Sequence, residues 1–297
     1  TPEIQINDGT VIEAYHDTAF PDISELAKSE RVSIANLRNG MRDVCITLQV
    51  ESWAQRTFEN QNGESKTVRS GDVMDPSGRC RLTAWCEFDP SPGDIIMIEG
   101  GRVQYWQGSP DLVIDEVNQV QVLSESPWDA IDPQNHWVEV DLTSLTKGGS
   151  RRGISTSGSI VMIKPDSGIV ERCPECRRVL RDGSCSEHGS KIGEEDLRLR
   201  FVIDDGVANA SLILGRESAE SFLGMGMENV KTEISEIGRE VFVSNLKNRV
   251  LARKMEVHGR CLVDSQGAML IAEGVEILEP RPEEEAKEVM KRWEVEI

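Results

Sequence analysis

The sequence predicts an all-β chain made of two tandem barrels of five short strands each. Three observations predict it. The segment VCITLQVESW (44–53) alternates with period two, so Val44, Ile46, Leu48 and Val50 face one way. A pattern then repeats along the chain. GRCRLTAWCE (78–87) and GGRVQYWQGSPDLVIDEVNQVQVL (100–123) are echoed by VANASLILGRE (207–217) and HGRCLVDSQGAMLIAEGVEIL (258–278). Each copy opens on an acid–glycine turn, DPSG (75–78) or DDG (204–206), and closes on strand, glycine turn and strand.

The elements follow in order. Residues 1–30 form an acidic N-terminal lead. Residues 31–123 form the first barrel. After 44–53 comes a polar loop, NQNGESK (60–66), then strands at 67–75 and 79–87. A connector with Pro90 and Pro92 leads to strands at 94–106 and 110–117. Five strands with one non-strand connector after the third describe an OB fold. A sandwich of similar strand count is the competing arrangement. Residues 124–150, with Pro127, Pro133 and a glycine pair, read as a linker. Residues 151–279 form the second barrel, which carries two insertions. A cysteine-rich motif (171–189) falls between its first two strands. A helical piece, 216–238, falls between its third and fourth. Residues 280–297 hold a C-terminal helix, with Ala286, Val289, Met290 and Trp293 on one stripe. That stripe must pack either on its own barrel or on a partner.

Composition narrows the function. The net charge is −19, but it is uneven. Residues 1–30 and 261–297 carry −6 each, whereas 151–260 carry +1. Local potential in a groove matters more to a phosphate chain than the total, so an acidic total does not exclude nucleic acid. No run of 18 apolar residues exists, no signal-peptide pattern opens the chain, and no membrane partner is expected. The chain begins at Thr1, so an upstream segment is one expectation. Cys45, Cys80, Cys86 and Cys261 lie among apolar residues and read as reduced core cysteines of a reducing compartment. P-loop, G-x-S-x-G and H-E-x-x-H patterns are missing, and His16, His136 and His258 stand alone. No enzyme is expected.

CPECRRVLRDGSCSEH (173–188) is the strongest chemical signal. Cys173, Cys176, Cys185 and His188 form a C-x2-C…C-x2-H frame. Three thiolates and an imidazole at that spacing close a tetrahedron around one Zn2+. Four protein ligands leave no open position, so the metal is expected to be structural and to brace its loop. Asp182-Gly183 turns the chain back toward the second ligand pair.

The chain has only 14 aromatic residues, so their placement matters. Trp85 closes the third strand of the first barrel. Tyr105 and Trp106 sit at its last hairpin, and Trp53 and Phe58 flank the end of its first strand. Rings in such places stack on bases of any identity. Arg56, Lys66, Arg69, Arg79, Arg81 and Arg102 share those strands and loops and offer phosphate contacts. Taken singly, Trp53 and Trp85 read as core; the set of rings together reads as a binding face. The second barrel has Gly215 where the first has Trp85, and Val263 and Asp264 where it has Tyr105 and Trp106. It keeps cations, including Lys247 and Arg249, suited either to a strand's backbone or to assembly.

On SIANLRNGMRDV (33–44), GRCRLTAWCE (78–87), EVDLTSLTKGGSRRGI (139–154), ERCPECRRVLRDGSCSEHG (171–189) and DLRLRFVIDDG (196–206), the chain resembles archaeal replication protein A. That resemblance covers most of 31–278. It implies a single-stranded-DNA-binding protein of the archaeal cytoplasm, nucleoid-associated, acting in DNA replication, repair and recombination. A structural zinc motif inside an OB fold and stacking aromatics matched by Trp85, Tyr105 and Trp106 are also implied. So are partners: other replication protein A subunits or a second copy through the C-terminal helix, and replication and repair proteins. An assembly or scaffold subunit of such a complex, or an RNA-binding OB protein, are the alternatives.

Overall fold

The computed structural model describes residues 31–59, 65–265 and 267–293. The acidic lead, 1–30, lies outside the described residues, as do most of the 60–66 loop and the last four residues.

In the first barrel the strands are β1 (Val44–Val50), β2 (Ala54–Glu59), β3 (Ser65–Asp75), β4 (Gly78–Ala84), β5 (Ile95–Trp106), β6 (Ser109–Ile114) and β7 (Val120–Leu123). β1 pairs antiparallel with β3 and β5, β3 with β4, and β5 with β6; β4 and β6 run parallel. The ring β1-β3-β4-β6-β5 closes on itself, which is the OB topology rather than a sandwich. Period two fills it: Ile46, Leu48, Leu82, Ile96, Ile98 and Leu112 are fully buried. β2 and β3 continue past the ring as an exposed two-stranded arm. The arm leaves the barrel where Gly71 passes beneath Ser52. A Cβ there would lie 1.8 Å from the Ser52 carbonyl oxygen, so only glycine fits.

The second barrel repeats the ring. Its strands are β8 (Val138–Glu139), β9 (Arg151–Ile163), β10 (Gly168–Arg172), β11 (Ser184–Cys185), β12 (Gly189–Ser190), β13 (Glu194–Asp204), β14 (Asn209–Leu214), β15 (Lys254–Asp264) and β16 (Gly267–Ile277). β9-β13-β14-β16-β15 closes with the same pattern, β14 and β16 being the parallel pair. The cysteine motif lies between β10 and β13. Helices α2 (Arg216–Leu223), α3 (Met227–Ile237) and α4 (Arg239–Val250) lie between β14 and β15. Phe222 and Met227 of this helical insertion pack on the second core, which centres on Phe201.

The expected linker needs correction. Residues 124–150 contain β8, parallel to β9, and α1 (Leu142–Gly148). Asp141 caps α1 by accepting from the Ser144 N–H at 2.8 Å. Leu142 and Leu145 are fully buried in the second core. The chain therefore enters the second barrel's core before residue 151. The glycine pair after α1 made this stretch read as a spacer, although an i, i+3 leucine pair and its cap were present.

One backbone bridge, Arg79 opposite Arg152, joins the two rings. The C-terminal helix, α5 (Pro282–Arg292), touches the second barrel through Lys254–Glu285 at 3.6 Å. Val289 and Trp293 on it are exposed. Among the described residues, no helix is long and apolar enough to cross a membrane.

Candidate nucleic-acid interface

Strand register decides which side chains share the outer face of the first barrel. Residues directly opposite on neighbouring strands lie on one face, as do positions i and i+2. Phe58 faces Lys66, Arg56 faces Val68, Ser70 faces Thr83, and Asp72 faces Arg81. Arg81 faces Asp111, Gln104 faces Asp111, and Trp106 faces Ser109. Leu82, Ala84, Leu112 and Val103 alternate with these and point into the core. Arg56, Phe58, Lys66, Arg81, Trp85, Arg102 and Trp106 thus form one outer face, running from the arm to the hairpin tip.

The rings on this face are open to solvent: Trp85 is 44% and Trp106 54% exposed. Trp85 meets Phe58 edge to face, with centroids 6.5 Å apart. That contact ties the arm to the end of β4. The Arg81 guanidinium lies 5.8 Å from the Trp106 ring and donates to Ser70 Oγ at 2.7 Å. A cation held beside an exposed indole can serve the phosphate of a base stacked on that ring. Below them Asp111, 2% exposed, accepts from Thr83 Oγ1 at 3.0 Å and Gln104 Nε2 at 3.3 Å. Burial raises its carboxyl above the usual range, and those hydrogen bonds oppose the rise. Arg102 holds Asp115 through two nitrogens, at 2.9 and 3.1 Å, which lowers the Asp115 carboxyl.

Four expected contact residues stand elsewhere. Tyr105 has the opposite parity to Trp106 and reaches toward the Gly149 turn, so it does not join the indole face. Trp53 is half-buried on the first core. It crosses Phe88 edge to face at 5.6 Å and donates its indole N–H to the Phe88 carbonyl at 3.1 Å. Arg69 also points to that side, donating to the Cys86 carbonyl. Arg79 is committed to the protein. It pairs with Glu51 at 3.0 Å, donates to the carbonyls of Pro133 and His136, and lies 5.0 Å from the Trp137 ring. Trp137 in turn stacks on His258, with centroids 5.0 Å apart. Lys247 and Arg249 are exposed in the last turn of α4, on the second barrel's insertion.

Register also places Gly215 at the position of Trp85 and Asp264 at that of Trp106. Gly215 is the N-cap of α2. Where the first barrel ends β4 on a ring, the second starts a helix.

The metal frame is assembled. Ligand atoms of Cys173, Cys176, Cys185 and His188 all lie within 4.8 Å of one another. Cys176 Sγ is 3.5 Å from Cys185 Sγ, and His188 Nδ1 is 3.7 Å from Cys173 Sγ. Zn–S bonds of about 2.3 Å in a tetrahedron put ligands about 3.8 Å apart, so the donor set fits Zn2+. Backbone N–H groups of Glu187 and His188 are the main cause lowering the Cys185 thiol to about 6. Arg177, Asp182 and Gly183 take left-handed backbone, making the two tight turns of the loop. Sequence reading missed one partner: Glu175 Oε2 lies 3.4 Å from His188 Nε2, and its other oxygen takes Lys191 at 2.6 Å. That carboxylate leaves Nδ1 as the nitrogen turned toward the sulfurs. The C-P-E-C spacing held the hint.

The remaining cysteines are buried or half-buried. Burial pushes the Cys80 thiol well up and Cys261 to about 11, as suits reduced core thiols.

No protein family model matches the chain. A curated relative, replication factor A of Methanothermobacter thermautotrophicus, is 24% identical over 251 residues, or 78% of this chain and 31% of that protein. The chain therefore spans about a third of the length of the curated relative it matches. Among solved structures, a replication protein A heterotrimer bound to single-stranded DNA is 12% identical. It aligns over 97% of this chain and 74% of its own, with a TM-score of 0.38. The second OB-fold domain of replication protein A from Methanococcus maripaludis is 21% identical. The match covers 33% of this chain and 98% of that domain, with a TM-score of 0.28. The resemblance read from the sequence is met again in the comparisons: this chain is similar to an archaeal replication factor A, and its own strands form two OB folds in tandem.

Proposed function

We propose that this chain binds and protects single-stranded DNA in replication, repair and recombination, without catalysis. The observation that carries this reading is the outer face of the first barrel. Trp85, Trp106 and Phe58 are exposed on it, Arg81 lies beside Trp106, and Arg56 and Lys66 project from the arm. Exposed indoles are unfavourable in water and find partners in unstacked bases. The rings set no base pattern, so binding is sequence-tolerant. Strand capture at the expense of duplex follows from the binding energy alone.

One Zn2+ on Cys173, Cys176, Cys185 and His188 fixes the loop between β10 and β13. Its role is shape. Lys247 and Arg249 add charge from the second barrel.

Titration of fluorescent DNA and RNA oligomers at several salt concentrations tests the reading. Affinity should fall with salt, by a slope of about 0.7 per phosphate contacted, with no strong base preference. Binding that ignores both salt and strandedness would contradict it. A second reading, an assembly subunit, is favoured by exposed Val289 and Trp293 on α5. Under that reading, removal of 281–297 changes the mass seen in light scattering and leaves DNA affinity intact. An unchanged mass counts against it.

A further inference from the structure

The interface just described ends at Trp106, where the second barrel begins. The tip of the β5–β6 hairpin leans on that barrel: a Cβ at Gly108 would lie 3.3 Å from the Leu262 side chain. Beside the contact is a cavity of about 150 Å³, lined in part by Asp72, Arg81, Trp106, Ser109, Arg152 and Arg260. Arg81 belongs to the first barrel, and Arg152 and Arg260 to the second.

Part of the charge arrangement is left uncompensated within the fold. Arg152 and Arg260 stand directly opposite one another on β9 and β15. Like charges so placed repel. Arg152 is paired with Asp72 across the seam at 2.6 Å. Arg260 is half-buried and has no carboxylate partner among the described residues. Asp72 and Asp111 face Arg81, and Asp72 also takes Arg152, which leaves Arg260 as the guanidinium of this cavity without a carboxylate. Ser109 supplies an independent sign. It is 6% exposed, and its hydroxyl has no hydrogen-bond partner. An unpartnered buried hydroxyl on the wall of a cavity that gathers three guanidinium groups, one of them without a carboxylate, describes a site suited to an anion.

We infer that this seam is a phosphate site. Arg81, Arg152 and Arg260 take the internucleotide phosphate that follows the base on Trp106, and the strand passes there from the first barrel to the second. The inference rests on the single-stranded-DNA reading above. At about 30 Å³ per water molecule in the liquid, the cavity has the room of about five waters. That is room for a phosphate group, with the base left outside on the indole. Asp72 holds Arg152 in place while the site is open and is the group that DNA must outcompete.

The test measures anisotropy of a labelled oligothymidylate of about 16 nucleotides, long enough to span both barrels. Arg260→Gln and Arg152→Gln should each weaken binding and each lower the slope of log affinity against log salt by about 0.7. Asp72→Asn, which frees Arg152, should tighten binding several-fold. Thermal melting of Arg260→Gln, which breaks no ion pair, should match the parent and so separates binding from folding. Unchanged affinity and slope in both arginine variants overturns the seam site, as does weaker binding by Asp72→Asn. Trp85→Ala distinguishes the two readings. If it weakens binding while the arginine variants do not, only the seam site fails. If it too binds as the parent does, the stacking reading fails first.

Discussion

Arg79 and Arg81 sit two positions apart on one strand and do opposite work. Arg81 lies beside an exposed indole, on a face open to a strand. Arg79 is sunk among Glu51, Trp137 and two carbonyl oxygens, and joins the first barrel to the segment leading into the second. Both read as phosphate contacts in the sequence, because residue type and strand position are the same. Only the tertiary partners separate them. Arg79→Gln should therefore cost stability, about 3 kcal/mol, because Glu51 is left part-buried without its partner. DNA affinity at a temperature where the variant is folded should stay within about twofold, since no phosphate contact is lost. Denaturant melts and oligothymidylate titrations check the two halves. A stable variant with a reduced salt slope would return Arg79 to the interface. Tyr105 carries the same lesson: it neighbours Trp106 in sequence, and strand alternation puts it on the other side.

Among the elements, the metal loop is the most self-contained. Its ligands lie in tight turns outside the second ring, and its small cluster of buried cysteines and Leu180 stands apart from the barrel core. Chelation of the metal, or Cys185→Ser, should release protection from hydrogen exchange across 171–193 and leave β9, β13 and β15 protected. Loss of protection throughout the second barrel would make the metal part of the core instead. The frame was legible because ligand types and spacing are local. The ring of strands was legible too, since period two and the repeat are local signals copied twice. What was not legible depends on packing. The segment 137–149 reads like a spacer because its buried face is only Val140, Leu142 and Leu145, and their core lies on strands as far along the chain as β16. Arg152 and Arg260 attracted no notice because they meet only when β9 pairs with β15. Glu175 gains meaning only once His188 is folded against it.

At the scale of the whole molecule, two barrels of one topology have diverged in their use. The first keeps rings at the end of its third ring strand and at its last hairpin. In the second, those positions are a helix cap and an aspartate, and a loop carrying the Cys3His donor set and three helices are inserted. The net charge of −19 does not contradict a DNA-binding role, because much of the acid lies at the two ends of the chain. The central claim is that the indoles of the first barrel hold bases. The most direct measurement is the affinity of the Trp85→Ala/Trp106→Ala double variant for a labelled oligothymidylate, beside a melting curve that shows it folded. Each stacked base is worth about 1–3 kcal/mol, so the account predicts a loss of at least about thirtyfold. A folded double variant that binds as tightly as the parent would contradict it.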